Sequence, residues 1–156
     1  MNKKKILLTS FITIILAPIA LGQMKYYNEA EEVFNAGQYY KAVDMYRDAY
    51  NKIQGKEIKA EIVFKIAECY RITGQYKKAE LWYNNAIEKE YDKPKIYLYY
   101  ADALKTDEEF DKAIENYKEY AKLVPDDPRG NMGVESCKLA QQWKENPNGY
   151  KVSEMK

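Results

Sequence analysis

Apolar residues recur at helical spacing along most of this chain, in short stretches separated by turn residues. One phrase opens every second stretch: an aromatic residue, alanine three positions later, and tyrosine seven positions later. The alanines of this phrase are Ala42, Ala79 and Ala113, so the phrase recurs after 37 and then 34 residues. A period of about 34 residues made of two helices is typical of stacked helical arrays. The pattern predicts an all-α protein, a right-handed solenoid of three helix-turn-helix repeats.

A last helix follows the three repeats and lacks the phrase, so we expect it to cap the array. Asp127 and Pro128 suit the start of this helix, because aspartate caps a first turn and proline fits its first position. The predicted apolar side of this helix contains Met132, Cys137, Ala140 and Trp143. The predicted domain, residues 23–146, consists of repeats at about 25–58, 60–93 and 94–127 and a capping helix at 129–146.

The uneven period places three additional residues between the first and second repeats, near residues 52–59. Gly55 lies in the middle of this segment. The spacing predicts one altered loop there, either a longer loop or a one-turn extension of a helix.

The N-terminal residues differ from the rest. Three lysines precede an uncharged, mostly apolar stretch that runs from Ile6 to Gly22. This pattern predicts a secretory signal peptide over residues 1–22. A retained membrane anchor is the alternative, although the stretch is near the minimum length of a span and contains Pro18. Export would place the protein in the periplasm or in association with the outer membrane, with residues 147–156 as a polar tail.

The composition argues against several function classes. Removing the three lysines of the predicted signal peptide would change the formal net charge from +1 to −2, and no long run of one sign exists. Nucleic-acid binding needs a dense basic face, so this class is disfavoured. The chain has no histidine, no glycine-rich phosphate loop and no cysteine pair at metal-ligand spacing. We therefore expect neither enzymatic activity nor a cofactor nor a metal site.

The two cysteines, Cys69 and Cys137, lie 68 residues apart, which is two periods of the array. Similar positions two layers apart should be about 20 Å apart, whereas a disulfide needs Cα atoms within about 7 Å. The sequence therefore predicts two buried free thiols.

The repeat pattern resembles that of tetratricopeptide repeat (TPR) proteins over about residues 25–127. Tyr120 departs from the pattern, which has a small residue there, and Pro125 matches its proline in the last repeat alone. Its small positions are matched by Ala30, Ala67, Ala101, Ala42, Ala79, Ala113, Ala49 and Ala86, and its aromatic position by Tyr46, Tyr83 and Tyr117. More loosely, the N-terminus, the tyrosine-rich repeats and the tail resemble the N-terminal TPR module of exported bacterial OmpA-like envelope proteins.

In TPR proteins the first helix of each repeat lines a concave groove that binds peptides. The resemblance therefore implies a peptide-binding groove with three rows of residues. The rows are an apolar one (Tyr27, Phe64, Leu98), an acidic one (Glu31, Glu68, Asp102) and a mostly basic one (Phe34, Arg71, Lys105). We expect the apolar row to supply exposed anchors and the acidic row to favour a basic ligand. For the charges the alternative is that Glu68 with Arg71, and Asp102 with Lys105, are i,i+3 pairs that only solvate the helices.

The resemblance implies that the partner is another protein or peptide, with association to the outer membrane through that partner. Chaperone-binding relatives hold a terminal carboxylate with an asparagine at the place of the acidic row, so we expect no carboxylate-clamp activity here. The sequence is compatible with two functions. One is an exported scaffold that grips a peptide segment in its groove, and the other is a structural subunit or fragment of a larger envelope or secretion assembly that uses its convex face or tail.

Overall fold

The computed structural model describes residues 24–147, which form seven α-helices and no strand. The predicted all-α class is confirmed over this range. The predicted signal peptide (1–22) and residues 148–156 of the predicted tail lie outside the described residues. The helices are α1 (24–35), α2 (Tyr39–Lys52), α3 (Lys56–Ile72), α4 (Tyr76–Glu88), α5 (Lys95–Thr106), α6 (Phe110–Leu123) and α7 (Arg129–Glu145).

The chain divides into two compact units, Met1–Asp92 and Lys93–Lys156. Within the described residues, the first unit holds two helical hairpins, α1/α2 and α3/α4. The second unit holds the hairpin α5/α6, and α7 packs against α6. The alanines of the repeat pattern are fully buried in the hairpins, which lets paired helices approach closely. Those with no exposed surface are Ala30, Ala42, Ala49, Ala67, Ala79, Ala86, Ala101 and Ala113.

The first helix of each hairpin ends in the same hydrogen-bonded turn. After α3, the N–H of Gly74 donates to the carbonyl of Arg71, and the next N–H donates to the carbonyl of Tyr70. Corresponding bonds follow α1 and α5. This turn needs one residue in the left-handed region, where glycine has no steric penalty. That residue is Gly37 (φ +75°), Gly74 (φ +73°) or, in the third hairpin, Glu108 (φ +62°).

The additional residues between the first two repeats lengthen a helix. The connection between α2 and α3 consists of residues 53–55 alone, whereas α3 has 17 residues and α5 has 12. The buried side chain of Ile53 anchors the connection, and its N–H donates to the carbonyl of Ala49. Of the two alternatives raised by the spacing, the structure therefore has the helix extension, and the expectation of a longer loop is wrong.

The capping helix α7 begins as predicted, but its predicted apolar side is buried only in part. Cys137 of that side is fully buried and Ala140 is half-buried. Asp127 Oδ1 accepts a hydrogen bond from the backbone N–H of Arg129 at 3.0 Å, which caps the first turn. Met132 and Trp143, predicted on the apolar side, are 66% and 63% exposed. The buried residues are Gly130, Gly133, Val134 and Cys137.

Two glycines explain this choice of side. A Cβ atom on Gly133 would lie 2.5 Å from the ring of Tyr117, and one on Gly130 would lie 2.8 Å from the Cβ of Ala121. The absence of these two side chains lets the backbone of α7 lie close to α6. Glycine adds little to an apolar pattern, so the hydrophobic spacing of α7 identified Cys137 correctly but missed Gly130 and Gly133 and wrongly included Met132 and Trp143.

Both cysteines are free and buried, as the sequence predicts. Burial raises the pKa of the Cys69 thiol to about 12, and it also raises the pKa of Cys137. Neither thiol is therefore an activated nucleophile.

Candidate functional site

Each residue of the predicted acidic row accepts a hydrogen bond from a tyrosine of its own repeat. In all three repeats the acid precedes the tyrosine by 15 residues, which places them on opposite helices of one hairpin. Burial raises the pKa of all three tyrosines, and the neighbouring carboxylates raise it further. The bonds join Tyr46 to Glu31, Tyr83 to Glu68 and Tyr117 to Asp102, the last at 2.6 Å.

Two of these carboxylates also hold a cation of the first unit. Glu31 forms an ion pair with Lys65 of α3 at 2.8 Å, and Glu68 forms one with Arg71 at 2.9 Å. Glu68 is buried, and its charge and hydrogen bonds raise the pKa of Arg71 although burial opposes it. The acidic row is thus used inside the fold, and the expectation that it favours a basic ligand is not supported by its contacts.

The two i,i+3 pairs behave differently. Glu68 and Arg71 form the expected pair, but Asp102 and Lys105 do not. Asp102 accepts a hydrogen bond from the hydroxyl of Tyr117. Lys105 Nζ donates a hydrogen bond to Ser136 Oγ of α7 at 2.6 Å. Within residues 24–147, Lys105 forms no ion pair with a carboxylate. Its charge therefore remains available to a ligand.

The apolar row is largely internal. Phe64 and Leu98, predicted as exposed anchors, are 1% and 3% exposed. The ring of Phe64 stacks on Tyr91, with centroids 4.5 Å apart and planes 7° apart. Tyr91 follows α4 and lies outside the repeat positions that predict the groove, so the repeat pattern does not indicate that it covers Phe64. Tyr27 is half-buried, 6.1 Å from the ring of Tyr46.

Phe34, the apolar member of the third row, is half-buried at the surface of the first unit. Its ring meets Tyr39 edge-on with centroids 5.4 Å apart. Lys65 Nζ lies 4.7 Å from the ring centroid and reaches Glu31 from there. Phe34 and Glu31 thus serve as partners of the same lysine.

The second unit brings all three of its predicted site residues to one cavity of about 310 Å³. Leu98 and Tyr117 supply buried apolar surface, and Met132 is an exposed apolar wall. Arg129 is held by Asp127 at 2.6 Å, and that pairing lowers the pKa of the aspartate. The lining residues are Leu98, Asp102, Lys105, Tyr117, Arg129, Met132, Gly133 and Ser136.

Half of this lining comes from α7, which was predicted only to cap the array. Arg129, Met132, Gly133 and Ser136 are spaced as i, i+3, i+4 and i+7, so they share one helical face. That spacing was visible in the sequence. The direction of the face depends on the glycine contacts with α6, which the sequence did not reveal.

Other kinds of site are not indicated. Among residues 24–147, no cluster of three histidine, cysteine or acidic side chains could hold a metal ion. None of the helices in this range is long and apolar enough to cross a membrane.

No protein-family model matches the chain, and no curated protein matches it by sequence. Solved structures match its fold. The type III secretion chaperone SycD of Yersinia enterocolitica, in complex with a peptide of the translocator YopD, has a TM-score of 0.66 at 18% identity. That match covers 76% of this chain and 93% of the chaperone chain.

Two TPR domains are also similar. The TPR domain of Arabidopsis OM64 has a TM-score of 0.68 at 16% identity, covering 78% of this chain and 98% of that domain. The TPR domain of P58(IPK) has a TM-score of 0.73 at 18% identity, covering 85% of this chain and 37% of that one. The looser resemblance to OmpA-like envelope proteins gains no support from these structures. This chain has the TPR-like, all-α solenoid fold.

Proposed function

We propose that the chain is a non-enzymatic scaffold that binds a peptide segment of a partner protein in the cavity of the second unit. The observation that carries this proposal is the meeting of Leu98, Asp102 and Lys105 with an exposed methionine, Met132, around one open cavity. The fold supports the proposal by analogy, since the similar chaperone SycD was solved with a peptide of its translocator.

The lining indicates the chemistry of the ligand. A volume of about 310 Å³ lies at the lower end of ligand sites, which suits one or two side chains of a longer peptide. Met132 and Leu98 offer apolar contact, and the ammonium group of Lys105 lacks a carboxylate partner among residues 24–147. We therefore expect a segment with an apolar side chain next to an acidic one.

A peptide-display selection on the purified protein would provide a ligand, and fluorescence anisotropy would give its Kd. Met132→Lys should weaken binding at least about tenfold, because it replaces the apolar wall by a charge. Leu81→Lys is the matched control, since Leu81 is 67% exposed and Met132 66%, and Leu81 does not line the cavity. Equal Kd values for wild type and Met132→Lys would refute the proposal. A peptide ending in Glu-Val-Asp should bind no more tightly than its amide.

A second candidate, a structural subunit of a larger envelope or secretion assembly, is favoured by the outer face of α7. Leu139 and Trp143 are 44% and 63% exposed and lie on one side of the helix, four residues apart. Native gels of envelope extract would separate the candidates. Loss of a large complex with Leu139→Lys and Trp143→Lys, but not with Met132→Lys, favours the structural subunit, and the reverse favours the scaffold.

Export belongs to the proposal as well. The lysines and the apolar stretch of residues 1–22 support it, and the polar helices of residues 24–147 would form the exported domain. Mass spectrometry of the protein recovered from the periplasm should give an N-terminus at Gln23. Recovery with the outer membrane only when a partner is present would support association through that partner. An intact N-terminus in a cytosolic fraction would contradict export.

A further inference from the structure

A second cavity lies in the first unit, on the side formed by α2 and α4. It has a volume of about 320 Å³. Val63 and Ile66 of α3, each 1% exposed, form its floor. The residues around this floor are Arg47, Tyr50, Asn51, Trp82, Asn85 and Lys89. The cavity thus combines an apolar floor with two half-buried aromatic rings and two cations.

Arg47 and Lys89 of this cavity, and Lys59 next to it, lie close to aromatic rings. The guanidinium of Arg47 lies 5.5 Å from the ring centroid of Trp82. Lys59 and Lys89 place their ammonium groups 4.7 Å and 5.6 Å from the ring centroid of Tyr50. Arg47 also donates a hydrogen bond to the hydroxyl of Tyr70 at 3.1 Å. None of the three cations forms an ion pair with a carboxylate of residues 24–147.

A neighbouring cavity of about 440 Å³ shares Tyr50 and Lys89 with the first and extends the charged surface. Lys56, which lines it, is neutralised by Glu90 at 2.6 Å. Glu88 is the one carboxylate among the lining residues of the two cavities. The surface therefore keeps an excess of positive charge next to open aromatic rings.

We propose that this surface is a second binding site, for an acidic segment of a partner protein. An aromatic or aliphatic side chain of the segment enters between Tyr50 and Trp82. The carboxylates of neighbouring residues in the segment pair with Arg47, Lys59 and Lys89. The rings hold the cations in place before binding, which reduces the entropy lost when the ion pairs form. The amides of the two asparagines face the same space and can bond to a peptide backbone.

Charge complementarity selects a peptide over a nucleic acid. Two cations around the apolar floor and a third in the neighbouring cavity match a few carboxylates, whereas a nucleic acid would need a longer basic surface to neutralise its phosphates. The site is built entirely from the first unit and does not depend on the cavity proposed above for peptide binding. Variants of the two sites can therefore fail separately.

Trp82 provides a reporter inside the site. The chain has two tryptophans, and the other, Trp143, is 63% exposed on α7. In a Trp143→Phe background, a change in tryptophan emission reports on Trp82 alone. The probes are the peptide acetyl-Glu-Asp-Phe-Glu-Asp-amide and its neutral counterpart acetyl-Gln-Asn-Phe-Gln-Asn-amide. The acidic peptide should give a saturable change that weakens with salt, and the neutral peptide should bind at least about tenfold more weakly.

The charge variant of the same background is Lys59→Gln with Lys89→Gln, which should raise the Kd of the acidic peptide about tenfold. The control with the same charge change is Lys41→Gln with Lys118→Gln, two exposed lysines outside both cavities. This control should keep the Kd within about twofold. Circular dichroism of both variants should give the same helical signal as that of their Trp143→Phe background.

Three results would overturn the proposal. The first is equal binding of the acidic and neutral peptides, and the second is an equal loss in the charge variant and its control. The third is tighter binding of a thymidine oligonucleotide or of vesicles with anionic lipids than of the acidic peptide, which would assign the surface to another class of partner.

Discussion

Replacing Gly133 by alanine tests whether α7 depends on its close approach to α6. In the structure a Cβ atom at this position would lie 2.5 Å from Cδ1 and Cε1 of Tyr117 and 2.6 Å from Cγ. Carbon atoms pack comfortably at about 3.5–4.0 Å, so the ring or the helix must move by about 1 Å. Tyr117 is 2% exposed, and its hydroxyl is bonded to Asp102 at 2.6 Å, so the ring has little freedom to turn away.

Two opposing effects decide the result. Alanine is favoured over glycine within a helix by about 1 kcal/mol. Forcing a methyl group into a closely packed contact costs about 1–3 kcal/mol. Since three ring atoms of Tyr117 are too close at once, we take the upper half of that range. The expected net loss in the free energy of unfolding is about 1–2 kcal/mol.

Urea unfolding followed by circular dichroism at 222 nm would measure this loss. With a slope of about 2 kcal/mol per molar urea, in the middle of the usual range, the midpoint should fall by about 0.5–1 M. Asn131→Ala is the matched control, because Asn131 is exposed on the same helix and alanine there should gain a few tenths of a kcal/mol, ~0.5 at most. A Gly133→Ala protein as stable as wild type, or more stable, would refute the close-approach argument.

Three further predictions concern the turns, the thiols and the buried hydroxyls. Glu108 and Gly74 both have a positive φ, which glycine adopts more easily than other residues. In the same urea assay, Glu108→Gly should therefore raise the free energy of unfolding by about 0.5–1 kcal/mol, and Gly74→Ala should lower it by about 1 kcal/mol. Changes of the opposite sign would argue against left-handed turns. Cys69 and Cys137 should not react with Ellman's reagent at pH 8 until the protein is unfolded, since burial raises the pKa of both thiols, and rapid reaction of the folded protein would contradict this. Tyr83→Phe should cost about 1–2 kcal/mol near neutral pH, because a buried carboxylate loses a hydroxyl donor. Burial raises the pKa of Tyr83 in the folded protein, so its contribution is fully present below about pH 10 and is lost as the pH rises further. The difference between variant and wild type should therefore narrow at alkaline pH, and a constant difference from pH 8 to 11 would oppose the assignment.

The helical hairpins could be predicted because their signals are local. The period of the alanines, the glycines at 37 and 74 and the helix start at Asp127 each act within a few residues, where backbone geometry and hydrogen bonding decide the outcome. The candidate site was predicted only in part. Among residues 24–147, Lys105 forms no ion pair with a carboxylate, so its role in binding stays a prediction, whereas Leu98, predicted as exposed, is mostly buried.

The hydrogen bonds between tyrosines and carboxylates show most clearly which contacts the sequence does not predict. The spacing of 15 residues between acid and tyrosine is present in all three repeats and could have been noticed. Whether an acid faces the groove or its own hairpin depends, however, on how two helices are rotated against each other. That rotation is set by packing, which no short stretch of sequence encodes alone.

The amino-acid sequence was enough to predict the all-α class, the turn that ends each first helix, and the burial of the repeated alanines and of both thiols. The remaining features depend on how the helices pack against one another. Tyr91 stacks on Phe64, two glycines let α7 lie close to α6, and three cations without a carboxylate partner among residues 24–147 lie around Tyr50 and Trp82. These features join residues from different helices, and such contacts form only where the side chains of both helices fit together.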